Sequence, residues 1–202
     1  MPDYFPQSMG KTASDYQKYV LPALKLTYPK NKFFELENAK NDVNSKNFDM
    51  YAGMDAYMTD GINLRPIASR IQYSTPYRSF TIRLSRDSGS TTEFEKIDRA
   101  IKYGYARPYY HIQTYVVNEN KIFMGIVRTE DLWFYANHYS PTIKRTGYQQ
   151  HGQANFYVCY WDDLSKVGIE VIEIEVIDGN YKRFCKKIEF ENNLPFGQLT
   201  LF

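Results

Sequence analysis

At 202 residues, 43% of them hydrophobic, the chain can bury a core without disulfide or metal staples, and one domain is the expected count. No apolar run approaches the ~18 residues that a membrane-spanning helix needs. The first twenty residues hold no signal-peptide core, so neither membrane insertion nor export is expected and a cytoplasmic setting is. The formal charge of +2 is too small to imply a nucleic-acid partner by itself.

In chain order, residues 1–13 read as an extended polar arm with Pro2, Pro6 and Gly10. Ser14 or Asp15 can cap a short helix reaching Leu21, with Pro22 opposing its continuation. Asn31 can cap a second helix over 32–40, whose apolar side is Phe33, Phe34, Leu36 and Ala39, with Glu37 beside it. Residues 50–58 read as a buried strand or two short ones, interrupted near Gly53 and closed by Thr59-Asp60-Gly61. Strands are expected at 64–73 and 80–84, then a polar loop through Asp87-Ser88-Gly89-Ser90.

Thr92 with Glu95 three residues on is a capping-box signature for a helix over 93–103, with Phe94, Ile97 and Ile101 as its apolar stripe and Gly104 as a left-handed stop. A hairpin follows, 109–117 and 122–128 around Asn118-Glu119-Asn120, then a short helix over 130–135 that Thr129 can cap. Residues 137–155 read as a long polar loop, and 156–161 as a strand. Ile172, Ile174 and Val176 alternate with Glu173 and Glu175 as a half-buried strand, which Asp178-Gly179-Asn180 turns into a terminal hairpin strand over 181–190.

This order predicts an α/β or α+β fold, a mixed central sheet flanked by helices with a C-terminal β-hairpin. It divides as an arm and short helix over 1–30, an α/β core over 31–136, and a loop with a β extension over 137–202 packed on the same domain. Cys159 and Cys185 sit in apolar strand-like runs without metal-ligand spacing and read as buried thiols. His111, His138 and His151 form no zinc-type pair.

Charge is unevenly spread. Asp49, Asp55 and Asp60 precede a stretch, 61–86, with five arginines (Arg65, Arg70, Arg78, Arg83, Arg86) and no carboxylate. Residues 162–178 reverse the balance, with six acids against Lys166. Such asymmetry turns the central face towards a polyanion. Carboxylates beside arginines on neighbouring strands suit a divalent ion next to a phosphodiester, and suit equally a phosphate-binding surface without catalysis. Arg78, Arg86, Arg107, Lys144 and Arg145 are the candidate backbone contacts, the last three in tyrosine-rich segments able to stack on bases.

The succession of helix, strand with Asp55, and strand with Arg70 and Gln72 resembles the restriction-endonuclease-like PD-(D/E)XK superfamily over roughly residues 31–128. The resemblance implies metal-dependent phosphodiester hydrolysis on DNA, in a phage, plasmid or defence setting. Asp55 resembles its strand aspartate, Glu37 its accessory metal-binding glutamate, and Gln72 the place of its second acid. The family's lysine falls on Ser74, so Arg70 or Arg83 would carry the positive charge, although arginine is a poor proton carrier. On that resemblance Glu37 and Asp55 would hold Mg²⁺ or Mn²⁺, Gln72 would orient water, and Arg70 or Arg83 would clamp the phosphate. Two other readings stay open: a catalytically silent nucleic-acid-binding module on the same fold, and a structural or protein-interaction domain whose tyrosines and acidic C-terminal hairpin form a surface for a protein partner or a second copy.

Overall fold

The computed structural model describes residues 14–35, 54–146 and 153–186. Among them, β1 (Lys32–Glu35), β2 (Ala56–Thr59), β3 (Leu64–Gln72), β5 (Tyr110–Asn118), β6 (Lys121–Arg128), β9 (Val171–Ile177) and β10 (Asn180–Lys186) form a seven-stranded sheet in that order. Its neighbours are antiparallel except β3 and β5, which run parallel from Ile67 opposite Tyr110 to Gln72 opposite Tyr115. A three-stranded antiparallel sheet holds β4 (Ser79–Arg86), β8 (Ala154–Tyr160) and β7 (Thr142–Arg145), with β8 central. The fold is mixed α/β, with a central sheet flanked by helices.

Period-two alternation assigns the two faces of the large sheet. On one face Ile67 of β3, Ile112 of β5, Met124 and Ile126 of β6, and Ile172 and Ile174 of β9 pack with Val20, Ala23 and Leu24 of the N-terminal helical segment. That segment is a π-helical stretch, Tyr16–Val20, running into α1 (Leu21–Thr27). Pro22 therefore does not end the helix. The change of register falls just before it and leaves Pro22 in the first turn of α1, where a missing N–H costs little.

The opposite face packs on the small sheet and on α2 (Glu93–Tyr103), α3 (Thr129–His138) and α4 (Trp161–Lys166). Phe80, Ile82, Tyr115, Phe123, Trp133, Trp161 and Leu164 form this second core. With both faces covered, β9 is not half-buried as its alternation suggests. Glu173 is 1% exposed and is held by ion pairs to Arg78 and Lys186.

The expected helix over 32–40 is overturned at its start. Lys32–Glu35 is a strand, paired from Lys32 opposite Thr59 to Glu35 opposite Ala56. Two adjacent phenylalanines suit a sheet edge as well as a helix side, and the free edge of β2 supplied the ladder. Glu37 and Asp49 lie outside the described residues. So do residues 50–53 of the expected strand over 50–58, of which Ala56–Thr59 is strand. The expected loop over 137–155 instead contains the end of α3, strand β7 and the first residues of β8. Arg128, not Thr129, occupies the N-cap position of α3. Cys159 is buried, its thiol pushed up to about 12 by desolvation, whereas Cys185 is exposed on β10.

Candidate nucleic-acid interface

Ala68, Arg70 and Gln72 lie on the side of β3 that faces the small sheet, because Ile67 and Ile71 pack towards the N-terminal helix. Arg70 spans the gap. Its Nη1 donates to the Thr81 carbonyl and to Thr81 Oγ1, each at 2.9 Å, and its Nη2 meets Glu93 Oε2 at 2.7 Å. Thr81 Oγ1 in turn donates to Gln113 Oε1 at 3.2 Å. One guanidinium thus ties β3 to β4 and to the first turn of α2.

Glu93 is the hub of this cluster. Oε2 also accepts the Arg83 backbone N–H at 3.3 Å, and Oε1 lies 3.8 Å from His111 Nε2. Burial pushes its carboxyl up, but Arg70, then His111 and Arg83, outweigh burial and hold it below the usual range. His111, 2% exposed, is pushed down to about 4 by burial, against the pull of Glu93. It is neutral at pH 7. Its ring lies 6.1 Å from that of Phe80 and 5.9 Å from that of Trp133.

Two cavities flank Arg70 and Arg83. The smaller, about 270 Å³, is lined by Asp55, Arg70, Arg83, Arg86, Glu93, Lys96 and His111 among others. The larger, about 470 Å³, takes Gln72 and Arg70 from β3, Tyr115 from β5, Thr81 and Arg83 from β4, Lys144 and Arg145 from β7, and Phe156 from β8, with Tyr77 at its rim. It opens beside the C-terminal end of β3, in the one parallel strand pair among the described residues. Such ends are where α/β sheets bind ligands.

Arg70, Arg83, Lys144 and Arg145 line this groove, and among the described residues no carboxylate does. The Arg70 and Arg83 guanidinium groups lie 5.6 and 5.5 Å from the Phe156 ring centroid, and Lys144 Nζ lies 5.9 Å from that of Tyr77. Burial, followed by the charges of Arg70 and Arg86, lowers the pKa of Arg83.

The other predicted residues separate. Asp55 borders the smaller cavity, but its Oδ2 accepts the Ser69 N–H and its own N–H bonds to the Ile67 carbonyl, extending the β2–β3 pairing. Arg78, at φ +49°, points elsewhere: it pairs with Glu173 and Glu175 and lies over Trp161. Arg107 pairs with Glu130 and borders a third cavity of about 310 Å³. Glu93, Tyr77 and Phe156 are not among the candidates from sequence, where His111 stands only as a histidine without a zinc-type partner. The legible signal for Glu93 was a carboxylate in the first turn of a well-capped helix, just after a long carboxylate-free arginine stretch.

Among the described residues no group of three His, Cys, Asp or Glu side chains is placed to hold a divalent ion. Glu93 is taken up by Arg70 and the Arg83 amide, and one oxygen of Asp55 by Ser69. No helix among the described residues is long and apolar enough to cross a membrane. Neither a family model, nor a curated protein, nor a solved structure matches the chain.

Proposed function

We propose that the protein binds the sugar-phosphate backbone of a nucleic acid, DNA first among the candidates, in the groove between its two sheets. The observation that carries this reading is one groove with four cationic side chains, aromatic walls and, among the described residues, no acidic lining. Phosphates would neutralise Lys144 and Arg145 at the rim and meet Arg70 and Arg83 deeper in. The binding is tested by fluorescence anisotropy of labelled oligonucleotides over a salt series. Replacing Lys144 and Arg145 together by Ala should weaken binding at least tenfold and reduce the slope of log K against log salt by about 0.7 to 0.9 per cation removed. Unchanged affinity and slope would remove the groove from consideration. Arg145 is suitable for this test because its pair with Asp87, at 3.3 Å, is exposed and contributes little to stability.

Cleavage is the second reading, favoured by the place of Asp55 and Glu93 in the cavity that shares Arg70 and Arg83 with the groove. It agrees with the PD-(D/E)XK resemblance, but the described carboxylates do not fit a Mg²⁺ or Mn²⁺ site, so no step is assigned to an ion. Incubation with single- and double-stranded DNA and RNA, with and without either metal, decides it. Metal-dependent cleavage lost in Asp55→Ala supports hydrolysis, and intact substrate with retained binding leaves the binding module.

A further inference from the structure

We infer that the groove takes an unpaired strand rather than a duplex, with a base stacked at its rim on Tyr77. This rests on the groove reading above.

The cations and the rings converge on one concave space, not on a convex ridge. Arg70 and Arg83 stand between the smaller cavity and the groove and line both. Both are half-buried between the sheets, and Arg70 is fixed by bonds at 2.7 and 2.9 Å. A phosphate must enter the cleft to reach them. Duplex DNA presents its phosphates on the outside of a wide, stiff cylinder and suits flat or protruding basic surfaces. A single strand is thin enough to enter and leaves its base faces open.

The rings provide for those faces. Tyr77 is 56% exposed although it forms a T-shaped pair with the buried Tyr115 at a centroid separation of 6.3 Å, so its ring is held in place while much of the residue stays accessible. Lys144 above it places a cation next to the stacking surface, where a phosphate flanking a stacked base would sit. Phe156 carries the two guanidinium groups on its ring and so orients them instead of offering a stacking platform. Gln72, at the same groove, brings an amide able to both donate to and accept from a base edge. Phosphate, ring and amide chemistry lie within one space of about 470 Å³.

The test uses the full chain with a labelled single-stranded oligonucleotide and the same sequence annealed to its complement. The single strand should bind at least tenfold tighter than the duplex. Tyr77→Ala should cost about tenfold on the single strand without altering the salt slope. Tyr77→Phe should keep most of the affinity, since stacking needs the ring and not the hydroxyl. Equal or tighter binding of the duplex, or an equal loss on both forms in Tyr77→Ala, overturns the inference while leaving the groove reading intact. Absence of binding to either form overturns both.

Discussion

Arg70 serves two ends, and that limits how it can be probed. Its guanidinium makes three hydrogen bonds that join β3, β4 and α2, one of them to Glu93, whose side chain is only 23% exposed. Removing one partner of a largely buried pair leaves the other charge uncompensated. Arg70→Met should therefore lower unfolding free energy by about 2 to 4 kcal/mol, read as a shifted urea midpoint. A binding loss in that variant would not isolate a phosphate contact, whereas Lys144 and Arg145, exposed on an edge strand, report on binding alone.

His111 gives the cluster a pH signature. Its folded pKa, about 4, lies below its ordinary 6.5, so the unfolded chain takes up a proton first as the solution is acidified. Stability is thus constant above pH 6.5, falls between 6.5 and about 4, and levels off below. From pH 6.5 to 5 the loss should be about 2 kcal/mol, followed by urea unfolding at both values. His111→Asn should flatten this slope, whatever its cost at pH 7. An unchanged slope would place the titration elsewhere. Glu93, depressed from its usual value, contributes stability above its unfolded pKa that is lost only at lower pH as its folded pKa is crossed, so the two groups separate along the pH axis.

Among the elements, α2 shows what local chemistry can specify. Thr92 Oγ1 accepts the Glu95 N–H, the Glu95 carboxylate accepts the Thr92 N–H at 2.8 Å, and Gly104 closes the helix at φ +69°. All of this was legible, because a capping box and a glycine stop act over a few residues. Thr92→Ala should cost about 1 kcal/mol, measured as a lowered Tm. Since α2 holds Glu93 in its first turn, the same change should also loosen the Arg70 cluster. Strand β1 shows the opposite case. Phe33 and Phe34 satisfied a helical stripe equally well, and only the unpaired edge of β2, more than twenty residues on, decided for a strand. Strand β7 was missed for the same reason: its four exposed residues show no apolar alternation, and pairing with β8 alone makes it a strand.

The whole molecule is held by the seam between its two sheets. Gly125 of β6 lies directly beneath the Trp161 ring, where an added Cβ would clash with the indole. Trp161, 1% exposed, is packed against Phe80 and Tyr115 and has nowhere to move. Gly125→Ala should therefore destabilise the protein by about 1 to 3 kcal/mol, seen as an earlier urea midpoint, despite the higher strand propensity of alanine. Because Trp161 packs against Tyr115, which lines the groove, a variant that remains folded should also bind more weakly.

Sequence alone determined the features written within a few residues or repeated at a fixed period: the caps of α2, the β5–β6 hairpin, the strand at β9, and a carboxylate-free arginine stretch. It also pointed to Asp55, Arg70, Gln72 and Arg83, the last three of which line one groove. Tertiary structure alone decided which charges are paired and which are brought together. Arg78 pairs with Glu173 and Glu175, nearly a hundred residues away, Arg70 with Glu93 and, at the surface, Arg145 with Asp87, while Lys144 and Arg145 arrive at the groove on a strand that does not adjoin β3. Charge pairing depends on distance in space, and a sequence lists only distance along the chain.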